Sequence, residues 1–264
     1  MADPKKEEKV VAALTNAGAI LPMSVIKSVK KSPGNLIIFS KPKTGKTTLI
    51  AALPNCLLID LEGGSDYVDA LKIKARNIKE LMDIEAAIVK AGKPYDYIAL
   101  DTVTALEDMC IPYAEHLYSK SPMGANWATI GKPKYGNILN LANGAGYPWL
   151  RQAFNDITTR IKALAPTVIL LGHVKDTLLS KNGSDFSSLD LNLTGKLKEM
   201  TTSKSDAIGY LFRKGNKNIL SFNTQDDISC GARPEHLRNK EIVISEIDEA
   251  TGNVITHWDK VFID

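Results

Sequence analysis

A chain of 264 residues, 44% hydrophobic and 24% charged, has enough apolar material for one sizeable core or two small ones, and its composition excludes a disordered or fibrous protein. Its net charge of +3 permits a nucleic-acid partner without requiring one. Cys56, Cys110 and Cys230 are odd in number and widely spaced, which argues against a disulfide framework or a paired-cysteine metal site.

In chain order, the charged start Lys5-Lys6-Glu7-Glu8-Lys9 has no apolar signal core, and residues 1–20 read as a tail with a short amphipathic helix from Val10 to Ile20. No run approaches the roughly 20 apolar residues of a spanning helix, so a cytoplasmic protein without a membrane partner is expected. Lys27 to Lys31 is a basic, solvated approach to the first strand. Leu36-Ile37-Ile38-Phe39 then reads as a buried parallel strand. It runs into Ser40-Lys41-Pro42-Lys43-Thr44-Gly45-Lys46-Thr47-Thr48 and on into a helix through Leu53. Strand, tight loop, Gly-Lys-Thr and helix make the phosphate-binding loop pattern, in which amides at a helix N-terminus face an anion. Lys46 adds a positive charge for the β- and γ-phosphates, and the Thr47 hydroxyl is a ligand for Mg²⁺. Ser40 stands where the pattern has its first Gly, and Ser enters a turn less freely than Gly wherever φ must be positive.

Cys56 to Asp60 reads as a second buried strand, running into Leu61-Glu62-Gly63-Gly64. A carboxylate just past the carboxyl end of a parallel strand lies where open α/β sheets bind ligands. Glu62 is thus placed to activate water, and Asp60 reads as a loop hydrogen-bonder. Leu71 to Lys74 is a short strand, and Asn77 caps a helix with an apolar face from Ile78 to Ile88. Tyr95 to Thr102 is an apolar strand ending in Asp101, the second Mg²⁺-holding side chain. Residues 119–147 look irregular, and their aromatic residues Trp127, Tyr135 and Tyr147, with Trp149 just beyond, alternate with Lys132, Lys134 and Arg151. That mixture suits stacking and phosphate contacts with single-stranded DNA, or else a packed insertion. Pro148 to Leu164 is an amphipathic helix, and Pro166 to His173 a fourth buried strand whose polar end could reach a γ-phosphate. Residues 174–205 read as a mobile loop with turn clusters at Lys181-Asn182-Gly183-Ser184 and Thr194-Gly195-Lys196. The rest reads as β: a hairpin from Ala207 to Asn223, then Glu241 to Ile244 and Gly252 to Ile263.

Four strand ends in this order, Ser40 to Thr47, Ile59 to Gly64, Ala99 to Thr102 and Leu171 to His173, resemble the RecA-like ATPase core over residues 34–225, most of all the phage-borne ATPases of single-strand annealing and recombination. The resemblance implies an α/β fold with a mainly parallel central sheet flanked by helices. Residues 226–264 then form a C-terminal antiparallel β extension of a single domain spanning 1–264. It implies ATP and Mg²⁺ as cofactors, Glu62 as catalytic base and His173 as γ-phosphate sensor, where RecA has Gln. It also implies single-stranded DNA as partner, self-association into a ring or filament, and work in the cytoplasm of a phage's host. A basic residue acting in trans is implied too, with Arg233 the candidate and Lys214 and Lys217 its rivals. A reading of another class, a nucleotide-dependent assembly switch or helicase loader without DNA contact, fits the mild net charge.

Overall fold

The computed structural model describes residues 24–125, 137–181, 184–224 and 228–263. The chain divides into two units, Met1–Lys31 and Ser32–Asp264. In the first, the described residues 24–31 form no helix or strand, and Val25, Ile26 and Val29 are exposed.

The second unit is built on a sheet. Its strands are β1 (Asn35–Ser40), β2 (Cys56–Asp60), β3 (Lys72–Lys74), β4 (Tyr97–Asp101), β5 (Thr167–Lys181), β6 (Ser184–Leu191), β7 (Ala207–Lys214), β8 (Lys217–Ser221), β9 (Gly231–Ala232), β10 (Glu241–Ile247) and β11 (Val254–Thr256). The helices are α1 (Lys46–Ala51), α2 (Ile78–Lys90), α3 (Val103–Ser119), α4 (Tyr147–Lys162) and α5 (Lys196–Ser203). The strand order is β11-β10-β8-β7-β1-β5-β4-β2-β3. From β7 to β3 all neighbours are parallel, and from β7 outward to β11 all are antiparallel. This is the α/β architecture expected of a RecA-like core, with the antiparallel strands at its C-terminal end. β5 lies between β1, which feeds the Gly-Lys-Thr loop, and β4, which ends in Asp101.

The continuous apolar runs of β1, β2 and β4 arise because both sheet faces are covered. Side chains alternate between faces. Ile37 and Phe39 enter one core layer with α2, α3 and α4, whereas Leu36 and Ile38 enter the other with Leu49 and Ile50 of α1 and Trp258. The helix cap at Asn77 is reciprocal: its side chain accepts from the Glu80 amide, and the Glu80 carboxylate accepts from the Arg76 amide.

Three expectations need correction. Residues 174–205 are not an irregular loop. β5 continues past His173 and pairs with β6 in a long antiparallel hairpin from Val174↔Leu191 to Lys181↔Ser184, and α5 follows. Residues 137–147 are packed rather than open: Ile138 is fully buried in a 3-10 turn, and Trp149, at the start of α4, sits edge-on against Tyr118 at 5.7 Å. Of the basic-aromatic stretch, Trp127, Lys132, Lys134 and Tyr135 lie outside the described residues. Finally, Gly252 to Ile263 is strand only over Val254–Thr256. Trp258 then turns inward in a 3-10 turn, and its indole N–H donates to the Leu49 carbonyl at 3.1 Å.

Candidate functional site

Strand register gathers the site. Ser40 is paired with His173, Asp60 with Asp101, and Asp101 with Leu171. The carboxyl ends of β1, β2 and β4 and the middle of β5 therefore lie at one level, the edge where open α/β sheets take ligands.

The loop between β1 and α1 places its left-handed residues at Lys43 (φ 61) and Gly45 (φ 101). Ser40 is still in strand conformation and fully buried. The first position of this loop thus does not demand glycine, and the Ser is accommodated without strain. Its hydroxyl accepts a hydrogen bond from the Lys46 ammonium at 2.9 Å and donates to the Lys41 carbonyl at 2.9 Å. Lys46 is 7% exposed. Burial pushes its pKa down, and the carboxylates of Asp101 and Glu62 partly restore it. The Thr47 hydroxyl donates to Asp101 Oδ2 at 2.7 Å. Burial pushes the Asp101 carboxyl up, the Thr47 hydroxyl opposes this, and the charge of Glu62 adds to it. Lys41 and Thr44 are exposed along the loop; the Thr44 hydroxyl donates to the Lys41 carbonyl at 2.7 Å, and Pro42 lies between them.

Asp101 is free for this role because Thr102 caps α3, accepting from the Ala105 amide at 3.3 Å. The same Thr102 hydroxyl donates to Glu62 Oε1. Glu62 also meets His173, whose Nε2 lies 3.1 Å from Oε1 and 3.2 Å from Oε2. The other ring nitrogen of His173, Nδ1, is buried without a hydrogen-bond partner among the described residues. Thr102 carried no local signal in the sequence beyond its place after Asp101; only the fold brings it to Glu62.

Asp60 organises the loop that carries Glu62. Its carboxylate accepts from the amides of Glu62, Gly63 and Ser65 and from the Ser65 hydroxyl. Burial alone would raise its pKa, but these four donors outweigh it and the net shift is downward. Because the folded pKa is depressed, the stability Asp60 contributes is present above its unfolded pKa and lost as pH falls through the folded one. Asp60→Asn is expected to lower unfolding free energy by about 1–3 kcal/mol at neutral pH. Urea unfolding of both proteins should show that gap narrowing only below about pH 4.

The site continues into the β5–β6 hairpin. The His173 carbonyl accepts from the Asn192 amide at 2.9 Å, the Thr104 hydroxyl donates to the Asn192 carbonyl at 3.1 Å, and the Thr194 amide donates to the buried Glu107 at 3.1 Å. Leu191 of β6 lies where a Cβ on Gly172 would stand, 2.2 Å from it, so this position needs glycine for the hairpin to seat.

Arg233 is not brought to this site. It follows β9 at the amino end of the parallel strands, where its guanidinium donates to the Ser203 carbonyl at 2.7 Å and pairs with Asp206 at 3.8 Å. Asp206 in turn accepts from the amides of Gly34 and Asn35, which open β1. Lys217 pairs with Glu246 at 3.3 Å, and Lys214 is exposed at the other end of the same turn. Arg213 and Asn218, to which the sequence gave no role, do reach the loop: a Cβ on Gly45 would lie 3.9 Å and 3.6 Å from their side-chain nitrogens.

The donor set fits a magnesium nucleotide. A hydroxyl and a carboxylate in contact, beside a buried ammonium, form the kind of oxygen-poor site at which Mg²⁺ is completed by substrate phosphates and water. Among the described residues no group of three or more His, Cys, Asp or Glu forms a metal site from protein alone. A family model described as an AAA domain matches residues 32–233. The chain belongs to the AAA domain family. This AAA domain is a P-loop ATPase, and its matched span runs from before β1 through β9. A search of curated proteins gives no match. Among solved structures, the AAA domain is similar to a KaiC-like protein from the hyperthermophilic archaeon Pyrococcus horikoshii, at 10% identity and a TM-score of 0.40, over 85% of this chain and 89% of that one. No helix among the described residues of the AAA domain is long and apolar enough to cross a membrane.

Proposed function

We propose that this protein binds and hydrolyses ATP with Mg²⁺ and couples that hydrolysis to single-stranded DNA during recombination, annealing or repair. The observation that supports this reading best is the gathering of Lys46, Thr47, Asp101, Glu62 and His173 at one level of the sheet, with His173 opening the β5–β6 hairpin. In this reading the loop from Ser40 to Thr48 cradles the phosphates with its amides, and Lys46 opposes their charge. Thr47 and Asp101 hold Mg²⁺, which when bound neutralises the phosphate oxygens. Glu62 orients and deprotonates the attacking water. Thr102 positions Glu62, and His173 exchanges its contact with Glu62 for the γ-phosphate end of the substrate.

The hairpin gives this exchange a readout. Lys175 and Thr177 are exposed on β5 beside a groove of about 850 Å³ that Lys198 also lines. The hydrogen bond from Asn192 to His173 ties the root of the hairpin to the sensor residue. A strand of DNA on the hairpin and a γ-phosphate beneath it would bias the same element. Copies of the chain associate in a ring or filament in this reading, and Arg233, remote from its own site, acts on a neighbour's.

ATP turnover measured with and without single-stranded DNA tests the proposal. Stimulation by DNA at low salt that disappears at high salt is expected, because phosphate contacts release counterions. Turnover indifferent to DNA at every salt concentration would favour the assembly switch, which the mild net charge also suits.

A further inference from the structure

The phosphate loop stands above β1, and the two sides of β1 differ. On the β5, β4 and β2 side lie His173, Asp101 and Glu62. On the β7, β8 and β10 side a separate cleft of about 420 Å³ begins at Gly45, Thr48 and Leu49 and runs between the β7–β8 hairpin and the β10–β11 pair. A ligand with its phosphates on the loop and its terminal phosphate toward Glu62 directs its other end into this second cleft.

We infer that this cleft holds the aromatic base of the nucleotide, an inference that rests on the phosphate-loop reading and extends it to base recognition. The chemistry of the walls suits a flat, edge-polar ring. Leu49 is buried beneath the cleft, and Ile247 and Val254 expose apolar surface at its rim. Arg213 brings a planar cation, the group that stacks on an aromatic face. Asn218 brings an amide that both donates and accepts along a base edge. Its orientation is fixed: Nδ2 donates to the Ser245 hydroxyl at 3.0 Å, and Oδ1 accepts from Arg213 Nε at 3.3 Å. A preorganised amide loses little freedom when a ligand arrives. Glu246, the carboxylate lining the cleft, is engaged by Lys217 at 3.3 Å and His257 at 3.4 Å. The antiparallel strands thus complete the nucleotide site on the side away from the chemistry, and β10 and β11 do so from beyond the matched AAA span.

Calorimetric titration of the full chain with ADP and with pyrophosphate separates the base from the phosphates. The wild type should bind ADP about tenfold or more tightly than pyrophosphate, the gain a stacked base gives. Asn218→Ala should weaken ADP about three- to tenfold, and Val254→Trp, at a half-exposed position that tolerates the larger ring, should remove most of the ADP advantage. Both variants should bind pyrophosphate as the wild type does, which also shows that they are folded. Wild-type affinity for ADP in both variants would overturn the inference while leaving the loop reading intact. Failure of the wild type to bind either ligand would overturn both.

Discussion

Replacing Lys46 with alanine is expected to lower ATP turnover by about 10²–10³-fold and to weaken nucleotide binding, without destabilising the protein. The first effect follows from removing a charge aimed at the phosphates in a site shielded from water, where one such donor is worth about that factor. The second follows from burial. The Lys46 ammonium is 7% exposed and its pKa is pushed down by desolvation, so holding it charged at neutral pH costs folding free energy. The sign of the linkage agrees: a lysine with a depressed folded pKa favours the folded state more as pH rises toward its unfolded value. Its one direct hydrogen bond, to the Ser40 hydroxyl, does not offset that cost, because Ser40 keeps its bond to the Lys41 carbonyl. Thermal unfolding should therefore show a midpoint for Lys46→Ala equal to or above that of the wild type. Added nucleotide should raise the wild-type midpoint by mass action and leave the variant's unchanged.

Glu62→Gln is expected to separate binding from chemistry. The glutamine keeps the size and the acceptor oxygen that Thr102 uses, so the loop and the phosphate site are undisturbed. It cannot take a proton from water. A positioned general base contributes about 10²–10⁴-fold, and turnover should fall by that factor with nucleotide affinity within about twofold of the wild type. Both oxygens of Glu62 lie within 3.2 Å of His173, so the amide must also settle against the imidazole. The imidazole can donate from Nε2 to the amide oxygen as it does to the carboxylate.

The parts of this site legible in the sequence are those built from contiguous residues. Buried parallel strands show as unbroken apolar runs, and each run here ended at a residue that the register brings to the common edge: Ser40, Asp60, Asp101 and His173. The Ser at the first loop position looked like a conformational problem only because φ cannot be read from a motif; the left-handed turns fall on Lys43 and Gly45. The hairpin of β5 and β6 was illegible for a different reason. Lys175, Asp176 and Thr177 are all exposed, so the segment lacks the apolar alternation of a half-buried strand, although Asn182-Gly183 is a strong hairpin-turn signal. Thr102, Arg213 and Asn218 gave no sign at all. Each meets its partner across a long sequence separation, Thr102 at Glu62 and the other two beside Gly45, and only the strand order makes them neighbours. The inward turn of Trp258 belongs to the same class, since its partner Leu49 lies in the first helix.

The measurement that tests the central claim most directly is ATP hydrolysis at saturating nucleotide by wild type and Glu62→Gln, with binding of ATP measured on the same preparations. The account predicts equal binding and a loss of hydrolysis of at least about a hundredfold in the variant. Hydrolysis that continues at the wild-type rate would remove Glu62 from the chemistry and contradict the assignment of the β2 edge as the water-activating side of the site.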